Sequence, residues 1–183
     1  MSMRLSRYWG SIFFRGTRHR DRSRVMQKLI GPVLGALVAT LGVVSAAVAG
    51  PAEDALAAFD RGDYATALRL FRPLADQGNA AAQNRLGFMY VKGRGVPQDD
   101  AEAARWYRLA ADQGLSAAQF ILGSMYAVAQ GVPRDFVRAH MWLNLAAAQN
   151  YEDAGKMRDL IGKLMTPAQI AEAQKLAGEW KPK

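Results

Sequence analysis

Slid along itself by 36 places, the chain meets its own likeness. Gln83 falls on Gln119, Leu86-Gly87 on Leu122-Gly123, Met89-Tyr90 on Met125-Tyr126, and Gly95-Val96-Pro97 on Gly131-Val132-Pro133. Trp106 falls on Trp142 and Ala110-Ala111 on Ala146-Ala147. Moved back by the same offset, Ala111-Asp112-Gln113-Gly114 returns as Ala75-Asp76-Gln77-Gly78 and Asp99 as Asp63, so a third, earlier copy exists with a shortened first half. A period of this length denotes supersecondary units that cannot bury an apolar face alone and must stack on one another.

Each unit reads as two helices. Ala82, Leu86 and Met89-Tyr90 recur at spacings of three and four, which makes one apolar stripe over residues 79–92. Gly93-Arg94-Gly95-Val96-Pro97 interrupts it, because glycine supplies positive φ and proline cannot continue a hydrogen-bonded ladder. Asp99 then predicts a helix cap, with Glu102 three residues on as its reciprocal partner. The second stripe holds Ala103, Trp106-Tyr107 and Ala110-Ala111, and Gly114 closes it as a left-handed C-terminal residue, a place that Asn150 takes in the next copy. Gly87 and Gly123 lie inside helices, where glycine costs up to ~1 kcal/mol against alanine, and this predicts close helix-to-helix approach.

The string AAAQNRLGFMYVKGRGVPQDDAEAARWYRLAADQG, residues 80–114, resembles the Sel1-like repeat family, relatives of the tetratricopeptide repeats. That family carries an A-x-A-Q-x-x-L-G-x-x-Y-x-x-G-x-G-V pattern and a W-Y-x-x-A-A-x-x-G ending. The positions carrying the likeness are Leu86, Gly87, Tyr90, Gly95, Trp106 and Ala110 in one unit, and Leu122, Gly123, Tyr126, Gly131, Trp142 and Ala146 in the next. The second copy departs from the pattern at Ser116 and at Ala129, which replaces the first loop glycine. The resemblance implies an all-α fold, a short right-handed α-α solenoid of helix-turn-helix repeats. About three units are expected, at 52–78, 79–114 and 115–150, within a repeat domain over 50–183.

Beyond Asn150, residues 151–164 form an amphipathic pattern through Ala154, Met157, Leu160, Ile161 and Leu164. Thr166-Pro167-Ala168-Gln169 supplies a cap, a first-turn proline and a glutamine three places after the cap, opening a last helix that runs to about Trp180. This pair, 151–183, is expected to cover the end of the array.

The formal charge of +8 belongs to the other terminus. Residues 1–28 hold eight basic side chains against one acidic, whereas from Gly50 onward sixteen face fifteen, so no nucleic-acid surface is implied. Leu29 to Ala49 carries no charge and ends in Ala47-Val48-Ala49, which reads as a secretory signal cut after Ala49, with residues 1–49 as extension and signal and Met26 as an alternative start. The rival reading is an uncleaved inner-membrane anchor, since such a stretch can span about 30 Å of hydrocarbon. Either way the repeat domain is expected on the far side of the membrane, periplasmic or secreted, with the membrane engaged only through this segment.

Reactive chemistry is sparse beyond the signal. Cysteine is absent, the serines are Ser116 and Ser124, and the histidine is His140, so neither a triad nor a histidine metal cluster assembles from that inventory. No metal site or cofactor is expected. Trp106, Trp142 and Trp180 read as core anchors rather than ligand-stacking platforms, and Asp99 and Asp135 as helix caps rather than paired acids.

The expected function is a non-enzymatic adaptor that holds a protein or peptide of the cell envelope. Recognition positions are sought where aligned units differ: Asn84 and Phe120, Arg85 and Ile121, Phe88 and Ser124, Lys92 and Val128. Two alternatives stand beside it. One is a hydrolase of cell-wall or β-lactam amides, as some cysteine-rich relatives are described; the other is a structural subunit of an envelope complex.

Overall fold

The structure is a computed structural model that describes residues 50–183. The expected signal and extension, residues 1–49, lie outside the described residues. Eight helices occur in order among the described residues: α1 (Pro51–Asp60), α2 (Tyr64–Asp76), α3 (Ala80–Lys92), α4 (Asp100–Asp112), α5 (Ser116–Val128), α6 (Phe136–Ala148), α7 (Ala154–Gly162) and α8 (Pro167–Glu179). None is long and apolar enough to cross a membrane.

Each helix from α1 to α6 packs on its successor, which is the serial pattern of an all-α solenoid. Small residues make this close stacking work. Ala55, Ala58, Ala67, Ala75 and Ala82 surround Phe71, Leu86, Met89 and Trp106 in one continuous core. Alanine loses no side-chain entropy on burial and holds helices at short range, so a few large side chains fill the remaining space. The largest enclosed anchors are Trp106, Tyr107, Tyr126, Leu86 and Leu122.

The helix boundaries arise from local chemistry. Asp63, Asn79, Asp99 and Asp135 each accept a backbone N–H from the first turn of the helix they open. At Asp99 only half of the expected reciprocal cap forms: its Oδ1 accepts from the Ala101 and Glu102 amides, while the Glu102 carboxylate turns to Arg105. The bidentate guanidinium is the stronger partner, and it holds Glu102 below the usual carboxylate range. Thr166 and Gln169 form the complete box.

Buried glutamines join one unit to the next, a role that the sequence reading does not assign them. Gln83 donates its side-chain amide to the Ala75 carbonyl at 3.0 Å and accepts from Gln113 at 2.7 Å. One unit on, Gln119 donates to the Ala111 carbonyl at 3.2 Å and accepts from Gln149 at 2.9 Å. Both central glutamines are buried, and each adds a second donor to a carbonyl in the last turn of the preceding helix that already accepts the Gly78 or Gly114 backbone N–H.

The C-terminal pair departs from the repeat. The expected helix over 151–164 begins later, at Ala154, because Asn150 and Asp153 both take positive φ, 57° and 66°, and turn the chain between them. Helix α7 packs on α6 as α5 packs on α4, but α8 also packs on α6 rather than on α7. Trp180 meets Trp142 edge-on at 6.2 Å, and Lys183 reaches Asp112 at the end of α4 through its backbone N–H at 2.9 Å and its Nζ at 3.3 Å. The tail thus folds back across the array.

Candidate partner-binding face

The eight candidate recognition residues lie on α3 and α5, the first helices of the two complete units. On α3 they remain at least partly accessible: Asn84, Arg85 and Phe88 are half-buried and Lys92 is exposed. The Phe88 ring packs edge-on against Phe59 of α1 at 5.7 Å, and Phe59 packs on Tyr64 of α2 at 5.4 Å. Two guanidiniums lie on these rings. Arg85 is over Phe59 at 5.4 Å, and Arg94 is over Tyr64 at 5.0 Å and Phe88 at 5.3 Å.

The same places on α5 are different. Phe120 and Ser124 are buried, at 3% and 5% exposure, so they offer no open surface, contrary to the expectation that they face a partner. Tyr151, in the turn after Asn150, lies against the Phe120 ring at 5.1 Å, and the Ser124 hydroxyl donates to the Phe120 carbonyl at 2.8 Å. Ile121 and Val128 stay partly exposed. The Asn84 side-chain oxygen, which occupies the Phe120 place, is enclosed without a hydrogen-bond partner.

The repeated positions serve packing. A Cβ on Gly87 would stand 2.9 Å from the Tyr107 ring, and one on Gly123 would stand 2.9 Å from Leu143 Cγ and 3.0 Å from the Ala139 carbonyl. Gly95 and Gly131 do the same in the loops, at φ 74° and 65°, where a side chain would strike the backbone at Tyr64 and at Asp100 respectively. Leu86, Leu122, Trp106, Trp142, Ala110 and Ala146 are buried in the core. Tyr126 is buried as well and receives the Arg108 guanidinium on its hydroxyl, whereas Tyr90 is half-buried against the first core cluster.

His140 lies at an open cleft of about 490 Å³ between α6, α7 and α8, with Asn144, Arg158, Asp159 and Lys163 around it. Its Nδ1 is enclosed without a partner, and burial, with Arg158 nearby, lowers its pKa. Neither Ser116 nor Ser124 lines that cleft, so the fold does not bring histidine and serine together there. Among the described residues no group of three or more His, Cys, Asp or Glu side chains converges in a way that could hold a metal ion. Tyr107, enclosed beside Gly87, has its phenol pushed far up by burial and remains neutral.

Comparison with known proteins locates this architecture. The profile of the Sel1 repeat matches residues 60–79, 80–115 and 116–151. Among solved structures, a protective antigen of uropathogenic Escherichia coli displaying an SLR fold is similar at 34% identity and a TM-score of 0.67, over 71% of this chain and 29% of that one. A Sel1 repeat protein from Oxalobacter formigenes is similar at 31% identity and a TM-score of 0.58, over 71% of this chain and 56% of its own. The chain therefore spans less than two thirds of either protein. A comparison with curated proteins gave no match.

Proposed function

Because the chain belongs to the Sel1 repeat family, we propose that it is an adaptor of the cell envelope that holds a protein or peptide segment on the face formed by its first helices. The observation that carries this reading is the difference, within one chain, between a repeated core and a changing face. Leu86, Trp106 and Ala110 of the buried core return as Leu122, Trp142 and Ala146, while Arg85 and Lys92, which are at least partly open, give way to Ile121 and Val128 at the same helix positions. Packing alone asks for no such change, since the helices beneath are held by repeated alanines, glycines and glutamines.

Export supports the envelope setting. The uncharged stretch Leu29–Ala49 after a basic segment suits a secretory signal cut after Ala49, or alternatively an inner-membrane anchor with the repeats facing the periplasm. Mass spectrometry of the protein from periplasmic and membrane fractions separates the two: a mature N-terminus at Gly50 in the soluble fraction supports cleavage, and an intact N-terminus in the membrane fraction supports the anchor.

The adaptor reading is tested by affinity capture from envelope extracts with the unaltered chain and with Arg85→Ala combined with Phe88→Ala. A partner retained by the first and lost by the second, at unchanged thermal unfolding, supports it. Equal capture by both overturns the assignment of this face.

A further inference from the structure

Two arginines on this face have their rings but no acid. Arg72, Arg105, Arg138 and Arg158 all pair with carboxylates, of Asp76, Glu102, Asp135 and Asp159. Arg85 and Arg94 have no such partner among the described residues, and neither side chain has a hydrogen-bond acceptor there. An aromatic ring attracts a guanidinium without taking up its N–H donors, which remain along the edge of the fork. That edge matches a carboxylate in two parallel hydrogen bonds. Phe59, Tyr64 and Phe88 therefore hold two preset carboxylate receivers at the beginning of the array.

The opposite end has the opposite chemistry. Counting on by the 36-residue period, Arg85 becomes Ile121 and then Met157; Phe88 becomes Ser124 and then Leu160; Lys92 becomes Val128 and then Leu164. Leu160 and Leu164, on α7 and just after it, are the most exposed of the large hydrophobic side chains, at 47% and 44%. Ser124 and Met157 are buried, so the open members of the series are cationic on α3, apolar but only partly exposed on α5 as Ile121 and Val128, and apolar and exposed at α7 as Leu160 and Leu164.

Building on the adaptor reading above, we infer that the ligand is an extended segment of a partner protein with a definite polarity: acidic side chains at the end lying over α1 and α3, and apolar side chains at the end lying over α7. Packed helices stand roughly 10 Å apart, and on that spacing we assign the ligand a span of about 20 Å from α3 to α7. An extended strand covers that in about six residues at ~3.3 Å each. The acids and the apolar residues of the ligand are therefore about six positions apart.

The test uses the full chain and fluorescein-labelled ten-residue probe peptides read by anisotropy. The parent probe has two glutamates near one end and two leucines about six positions away, synthesised in both chain directions. Controls replace the glutamates by glutamine, replace the leucines by serine, or move the glutamates between the leucines. One direction of the parent is expected to bind, with affinity falling at least roughly tenfold for each control and falling again as salt is raised from about 50 to about 300 mM, because the contact is largely charge on charge. Arg85→Gln with Arg94→Gln should abolish the preference of glutamate over glutamine, and Leu160→Ser with Leu164→Ser the preference of leucine over serine. The comparison of probes on the unaltered chain stands even if a variant fails to fold.

Equal binding of glutamate and glutamine probes overturns the proposed polarity while leaving the adaptor reading intact, provided that binding still depends on Phe88. Binding that is indifferent to every substitution on this face removes both readings. Anionic lipid vesicles captured through Arg85 and Arg94, with no probe peptide bound, would overturn the proposal by placing a membrane surface where the acidic segment is assigned.

Discussion

At residues 79 and 115 the backbone has almost the same angles, φ −66° and ψ 108° against φ −66° and ψ 109°, yet Asn79 caps α3 with its side chain and Leu115 caps nothing. The pattern recurs at the other end of the same helices, where Gly93 and Ala129 both take φ 61° although only glycine does so without steric cost. The unit at 116–151 keeps the geometry of the unit at 80–115 on residues that locally favour it less. What enforces the shape is stacking. Gly95 and Gly131 each seat a loop against the start of the second helix of the preceding unit, and Gln83 and Gln119 tie each unit to its neighbour through the Ala75 and Ala111 carbonyls. Tertiary packing over-determines a turn that local propensity alone would not hold.

The loop seats give the largest expected effect. A Cβ on Gly131 would overlap the Asp100 carbonyl and press on the Ala101 amide, all backbone at the head of α4, whereas on Gly95 it would stand 2.7 Å from the Tyr64 carbonyl. Both positions also have positive φ, which adds strain for any L side chain. Gly131→Ala should lower the unfolding free energy by about 3 to 5 kcal/mol, and Gly95→Ala by about 2 to 3 kcal/mol. Chemical denaturation of both variants checks the order. A loss below ~1 kcal/mol at Gly131 means the loop is free to move and does not fix the stacking.

The mid-helix glycines come next. Leucine is the better helix former by up to ~1 kcal/mol, but overpacking costs about 1 to 3 kcal/mol or more, so packing decides the sign. Gly87→Leu should lower the thermal midpoint by pushing the enclosed Tyr107 ring. Gly123→Leu should lower it further, because its neighbours include the Ala139 carbonyl and the Leu143 amide, which cannot rotate away. An unchanged or raised midpoint for Gly87→Leu would show that α3 and α4 are not in close register there.

Much of this is legible in the period alone. The 36-residue offset aligns Leu86, Gly87 and Trp106 with Leu122, Gly123 and Trp142, all of which are buried in the structure. The glutamine rungs stand in the same alignment, as Gln83 with Gln119 and Gln113 with Gln149, but each bond joins residues 30 apart rather than 36. A self-comparison shows which residues are alike, not which ones touch within a unit. The same blindness puts Phe120 on the open face, because its cover, Tyr151, comes from the turn after α6, where the preceding unit has Leu115. The backward path of α8 is equally illegible, since amphipathicity says which side of a helix is buried and not against what.

A smaller effect separates α6 from α4. His140 takes the place that Ala104 holds one unit earlier, and both are buried. Burial and then Arg158 lower the histidine pKa from its ordinary 6.5, so the fold favours the neutral ring. The unfolded chain then binds the extra proton first, and the stability from the neutral ring is complete above about pH 6.5 and lost as pH falls through the folded value. Between about pH 7 and pH 5 the unfolding free energy should fall by at most one proton's worth, ~1.4 kcal/mol per pH unit. His140→Ala, which restores the residue of the neighbouring unit, should flatten that slope in urea titrations at the two pH values. Parallel slopes for the two proteins would move the source of the pH dependence elsewhere.

The smallest effect is an improvement. Ala129 has φ 61° and ψ 41°, and its place is glycine in the preceding unit. A left-handed conformation costs an L residue roughly 1 to 2 kcal/mol, of which glycine recovers all but the entropy it adds to the unfolded chain, about 0.4 to 1 kcal/mol. Ala129→Gly should therefore raise stability by about 0.5 to 1 kcal/mol, and Gly93→Ala should lower it by a similar amount. The neighbours decide whether the pair is symmetric. A Cβ on Gly93 would find Gln98 at 3.5 Å, an ordinary contact, so backbone strain rather than collision sets the cost there. Equal and opposite shifts in the denaturant midpoint would show that both loops bear the same conformational cost. A loss on Ala129→Gly would mean that the alanine methyl contributes packing that glycine in the first unit never had, and that the two loops are held by different forces despite sharing one set of angles.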